Sequence, residues 1–104
     1  MIIVVSQAWT KDAAASADAY IEQSRAFSAF MQKQPGFRGR KLVRSLEEPT
    51  HFTNLRWFES VDAYQAMTKH VDYATQIDAL SRHLDLSKYD GKNTREFMQV
   101  VLDD

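Results

Sequence analysis

Cysteine is absent from this chain of 104 residues. That excludes disulfides, thiolate–zinc sites, iron–sulfur ligation and thiol catalysis. An excess of charge of either sign is also missing. The formal net charge is −1, and no acidic or basic residues run together for long. A nucleic-acid surface needs a clustered basic footprint, and a polybasic membrane anchor needs a similar cluster, so neither partner is expected. No stretch approaches the roughly 20 apolar residues of a spanning helix. The opening "MIIVVSQAWTKD" has neither the charged start nor the long apolar centre of a signal peptide. A soluble, cytoplasmic protein is the expectation. The three histidines, His51, His70 and His83, form neither a His-x-x-x-His pair nor a facial triad, so no metal is expected. A Gly-rich phosphate loop and a nucleophile elbow are missing too.

Apolar residues make up 44% and charged residues 26%, the balance of an ordinary globular domain. At this length one domain spanning residues 1–104 is expected, with one modest core. Ile2 to Trp9 is β-branched and apolar at its start, and reads as a strand. Asp12 to Gln34 contains no glycine or proline. Ala13, Ala17, Tyr20, Phe27 and Met31 recur there at helical spacing, with Ile21 and Phe30 widening the stripe. Pro35-Gly36 stops that helix. Phe37 to Leu46 and Phe52 to Phe58 read as strands joined by a turn over Glu47 to Thr50. Ser60 is an N-cap candidate for a helix from Val61 to about His70, with Asp62 suiting its positive end. Asp72 is placed to cap a second segment carrying Tyr73, Ile77, Leu80 and Leu84. Asp85 to Asn93, with Asp90-Gly91, reads as a loop, and Glu96 to Leu102 as the last strand.

The order β-α-β-β-α-β is that of an α+β, ferredoxin-like fold: one antiparallel sheet with helices on one face. Both sheet faces carry large apolar groups. In the third strand His51, Thr53, Leu55 and Trp57 alternate with Phe52, Asn54, Arg56 and Phe58. In the last, Phe97 and Val101 oppose Met98, Val100 and Leu102. Helices cover only one face, and monomers rarely leave so large an apolar patch open. A homodimer packed sheet to sheet is therefore expected.

The stretch "QPGFRGRKLVRSLEEPTHFTNLRWFESVDAYQAM" resembles the core of the antibiotic biosynthesis monooxygenase family. The likeness rests on Pro-Gly-Phe after the first helix, Arg-Ser with an acidic-Pro turn, and a strand ending in an aromatic followed by Glu-Ser and then Ala-Tyr. The resemblance implies a dimeric α+β barrel with a ligand cavity between sheet and helices. Family members include cofactor-free monooxygenases of polyketide quinols and anthrones, quinol oxygenases, haem-degrading enzymes and sugar-derived signal isomerases. Fold alone does not choose among them.

In this frame Asn54, Arg56 and Phe58 point toward the cavity and Trp57 away from it, because strand side chains alternate. Phe58 stands where the family usually has tryptophan. A cofactor-free oxygenase needs an apolar slot, a few hydrogen-bond donors and a route for a proton. Asn54 supplies an amide donor, Tyr64 a phenol at the pocket mouth, and His70 a base of ordinary pKa near 6.5. Arg56 would stabilise an anion if it reaches inward; a surface or intersubunit ion pair is its other reading. Phe27, Phe52, Phe58 and Tyr20 supply aromatic walls or plain core. His51 reads as solvated beside its turn, and His83 as lying on a helix surface. The haem-degrading pattern of strand Asn, helix Trp and helix His falls on Gln7, Met67 and Ile77, so haem degradation is not expected. Met67 also stands where other members carry a helix His. The expected activity is a cofactor-independent oxygenation of a small aromatic or quinol. The alternatives are a non-catalytic binding dimer and an isomerase or cyclase on the same barrel.

Overall fold

The computed structural model describes residues 1–89 and 94–104. In chain order it has strand β1 (Ile2–Trp9), helix α1 (Ala15–Gln32), strands β2 (Phe37–Arg44) and β3 (His51–Phe58), helices α2 (Val61–Thr68) and α3 (Tyr73–Ser81), and strand β4 (Arg95–Gln99). A single 3₁₀ turn, Leu86–Lys88, precedes β4. The four strands form one antiparallel sheet in the order β2-β3-β1-β4. This is the α+β, ferredoxin-like arrangement expected from the pattern of elements, with the second helical layer broken into α2 and α3.

Local chemistry sets the boundaries. The Asp12 carboxylate accepts the N–H groups of Ala14 and Ser16, each at 2.9 Å, and the Ser16 hydroxyl at 3.0 Å. Those bonds hold the residues before Ala15 in a turn, so α1 starts later than Asp12, and they lower the Asp12 carboxyl pKa, those from Ser16 and Ala14 backbone most. Ser60 caps α2 as expected, its hydroxyl accepting the Ala63 N–H at 3.1 Å. Asp72 stands at the start of α3, but its side chain makes no capping bond. Its own N–H donates instead to His70 Nδ1 at 3.1 Å. β4 ends at Gln99, short of Leu102; Val101 and Leu102 lie exposed beyond the ladder. The expected loop from Asp85 runs through the 3₁₀ turn, and its Asp90-Gly91 lies outside the described residues.

Side-chain alternation divides the sheet into two faces. The face under the helices carries Val4, Ser6 and Ala8 from β1 opposite Arg56, Asn54 and Phe52 from β3. The core forms between it and Ala17, Tyr20, Phe27, Phe30 and Met31 of α1, Tyr64 and Met67 of α2, and Leu80 of α3. The opposite face carries Ile3, Val5 and Trp9 beside Trp57, Leu55 and His51. No described helix covers it, and Val43 and Met98 are 45% and 47% exposed.

One irregularity in β2 sets the phase of its side chains. Phe37 opposes Phe58 and Gly39 opposes Trp57, so Arg38 is an extra, unpaired residue. Phe37 and Arg40 consequently face the same way, under the helices. Arg38 turns out and ion-pairs with Glu59. Just before the strand, Gly36 has φ +84°, and a Cβ there would come within 2.6 Å of the Ala63 Cβ. Only glycine fits this contact between the start of β2 and α2.

Candidate active site

A cavity of about 300 Å³ lies between the sheet and helices α1 and α3. Ala8, Phe27, Ile77, Leu80, Leu84 and Leu86 give it apolar walls. Asn54, Arg56, Tyr20 and Ser6 bring polar groups to the sheet and α1 side, and Gln7, Ser81, Tyr89 and Thr94 add others around it. The size and the ratio of apolar to polar lining are those of a small-molecule site.

Strand alternation puts Asn54 and Arg56 on the covered face, two residues apart on β3. The Asn54 amide is held at both ends. Its Nδ2 donates to the Tyr20 hydroxyl at 3.0 Å, and its Oδ1 accepts from Arg40 Nη2. That leaves one amide N–H for another acceptor. Arg40 is anchored in turn through Nη1, which donates to the Ser24 carbonyl at 2.9 Å and to the Ser28 hydroxyl at 3.2 Å. Burial pushes the Arg40 guanidinium pKa down to about 10, and the Arg56 charge adds to that. It remains cationic at neutral pH. Burial pushes the Tyr20 phenol up, against the pull of its Asn54 bond and the two arginines, so Tyr20 is a neutral hydrogen-bonding group.

Arg56 does not reach the surface; it is 5% exposed. Its Nη2 donates to the Ser6 hydroxyl at 2.8 Å, and its guanidinium lies 5.6 Å from the Tyr64 ring centre. Arg56 is thus buried on the covered face of β3 beside the cavity rather than paired at the surface.

Tyr20, Phe27, Asn54 and Arg56 therefore gather around one cavity. Tyr64 stands behind Arg56 rather than at a mouth. It is buried, packed edge-on against Phe58 and Phe97 at 5.5 Å each, with Arg95 over its ring. Burial, and then the Tyr64 neighbour, push the Tyr73 phenol up to about 12. Phe58 is fully buried between Phe37 and Tyr64 and fills core. Phe52 lies edge-on to Tyr20 and faces a separate groove of about 370 Å³, beside Ile21, Ser24, Arg40 and Arg44. In that groove Arg44 is already bonded to the Pro49 and Ala13 carbonyls, at 2.7 Å each. His70 is on neither cavity. It follows the end of α2, packs against Phe30 and borders a depression with Lys33, Gln34 and Thr75. His51 is not simply solvated: it stacks on Trp9 at 4.8 Å and bonds Gln7 at 2.7 Å on the uncovered face.

Arg40 and Ser6 escape a sequence reading. Alternation alone assigns Arg40 to a face only if the unpaired Arg38 is known. The signal for Ser6 is its place in the register, opposite Asn54. Among the described residues no group of three or more His, Asp or Glu side chains stands ready for a metal. Nor is any described helix long and apolar enough to cross a membrane.

Solved structures share this fold. The cofactor-independent oxygenase SnoaB from Streptomyces nogalater superposes with a TM-score of 0.81 at 15% identity, covering 98% of this chain and 94% of that one. A proposed antibiotic biosynthesis monooxygenase from Caulobacter crescentus CB15 gives 0.76 at 18% identity, covering 97% and 90%. One from Bordetella bronchiseptica gives 0.78 at 15%, covering 97% of each chain. At these identities the likeness shows the fold. No curated protein matches the sequence. The sequence profile of the antibiotic biosynthesis monooxygenase family matches residues 1–79, three quarters of the chain and both strands that carry Ser6, Asn54 and Arg56. The chain belongs to the antibiotic biosynthesis monooxygenase family.

Proposed function

We propose that the chain is a cofactor-independent monooxygenase acting on a small aromatic phenol, quinol or anthrone bound in the 300 Å³ cavity. The observation that carries this reading is the hydrogen-bonded pair of Asn54 and Tyr20, with Arg56, facing the apolar side chains of Phe27, Ile77 and Leu80 around the cavity. Such a substrate reacts with oxygen once it loses a proton and becomes an electron-rich enolate or phenolate. The Asn54 amide N–H left over from Tyr20 donates to that oxyanion, and the charge of Arg56 stabilises it. One electron then passes to dioxygen. The two radicals combine at carbon to give a hydroperoxide, which loses water and leaves a carbonyl. A CH₂ group plus O₂ yields C=O plus H₂O, so no external reductant is needed.

None of the described lining residues is a histidine or a carboxylate. In this reading the proton leaves to solvent, and the local positive charge does the work of a base by lowering the substrate pKa. An isomerase on the same barrel, which would need a dedicated base but no oxygen, and a non-catalytic binding dimer are the readings beside oxygenation.

Oxygen uptake with a panel of anthrones and dihydroxy-aromatics, without metal or flavin, tests the proposal. Turnover above the spontaneous rate, falling about 10²-fold in Asn54→Ala, is the expected result. Equal turnover without oxygen would overturn it. The uncovered sheet face, with Ile3, Val5, Leu55 and Trp57 and the exposed Val43 and Met98, supports a homodimer formed face to face. A mass of 12.0 kDa in dilute solution by light scattering would exclude it.

A further inference from the structure

Arg40 and Arg56 are direct partners across the β2–β3 ladder, on the face covered by helices. Like charges directly opposite one another destabilise a sheet. Burial aggravates this, since a guanidinium away from water needs a counter-charge. The ion pairs among the described residues are Arg25–Glu22, Arg38–Glu59 and His70–Asp72, and none includes Arg40 or Arg56. Arg40 is at least fixed by the Ser24 carbonyl, the Ser28 hydroxyl and Asn54. Arg56 has far less. It is 5% exposed, lines the cavity, gives one hydrogen bond to the neutral Ser6 hydroxyl, and has no partner at Nε. An apolar residue would fill that place with less cost to stability, so a role in packing does not explain the charge.

We propose that the cavity takes an aromatic carboxylate, an anion before any chemistry begins, with its carboxylate on Arg56 and its ring against Phe27 and Leu80. This rests on the cavity being the ligand site and narrows the substrate from any phenol, quinol or anthrone to one that also carries a carboxylate. The guanidinium fork matches the two oxygens of a carboxylate. A carboxylate is ionised throughout the neutral range, whereas a phenol is not. Binding it therefore supplies the missing counter-charge to Arg56 in the ground state and leaves the charge of Arg40, behind the Asn54 amide, to favour the oxyanion. It also fixes the ring by one end, beside the Asn54 amide.

Isothermal titration calorimetry at neutral pH, with 2-naphthoate, its neutral isostere 2-naphthamide, and 2-naphthol, tests this on the intact chain. The naphthoate should bind about ten- to a hundredfold tighter than the amide, and Arg56→Gln should abolish that difference while leaving the affinity for the amide unchanged. Arg56→Gln should melt no lower than the parent, because it removes an uncompensated charge. Equal affinity for naphthoate, naphthamide and naphthol would overturn the proposal and leave an aromatic-binding cavity standing. A naphthoate preference that survives Arg56→Gln, or a variant that melts several degrees lower, would overturn the assignment to Arg56. Binding of none of the three would overturn both the proposal and the cavity reading beneath it.

Discussion

The covered face of the sheet has two ends that are built differently. At one end Phe37, Phe58, Tyr64, Met67 and Met31 fill the space between sheet and helices; Phe58 and Met31 are entirely inaccessible. At the other end, beside α3, Asn54, Arg56 and Tyr20 border a hollow. The two ends are only two residues apart along β3. Charge and hydrogen-bonding groups stand where volume is left unfilled, and aromatic rings where it is filled. An unfilled cavity costs dispersion contacts, and a buried charge costs solvation. Two costs placed together in so small a core mark a place kept for something other than stability.

That contrast is open to direct attack. Phe58→Ala strikes the filled end. It should lose about 3–5 kcal/mol of unfolding free energy, read by urea denaturation; a loss below about 1 kcal/mol would mean that this end is not close-packed. Gly36→Ala strikes the seam between β2 and α2. The positive φ and the contact with Ala63 make a loss of about 1–3 kcal/mol the expected outcome. Arg40→Met strikes the hollow end. It forfeits the bonds to Ser24, Ser28 and Asn54, but relieves the repulsion from Arg56 and the desolvation of a charge. Those effects offset, so stability should stay within about 1 kcal/mol of the parent. A drop as large as that of Phe58→Ala would erase the distinction between the ends.

Much of the fold is legible in the sequence because its signals are local. Pro35-Gly36 ends one helix, Ser60 begins another, and the alternation of His51 to Phe58 assigns the faces of β3. The core stripe of Ala17, Tyr20, Phe27 and Met31 follows from helical periodicity alone. The candidate site is less legible because its geometry is tertiary. Alternation gives Asn54 and Arg56 a common face, but whether Arg56 meets solvent depends on what covers that face. His70 carries the chemistry of a base, yet the end of α2 leaves it against Phe30, away from the cavity. Tyr64 lies on the expected helix, and the aromatic packing of Phe58 and Phe97 pulls it into the core. Arg40 was hidden by a single unpaired residue.

That residue, Arg38, gives β2 an unusual sensitivity to chain length. Side-chain direction in a strand has only two values, so adding or removing one residue acts as a parity switch. Loss of Arg38 alone would force a choice. Either Phe37 leaves the core, or Gly39 to Arg44 turn over, presenting Lys41 and Val43 to the helices and sending Arg40 outward. A one-codon deletion could thus strip the charge from beneath the hollow without altering any residue that borders it. Among related chains of this fold, the count of residues from the helix-ending glycine to the arginine of the second strand becomes a readable mark of which ones keep a buried cation there.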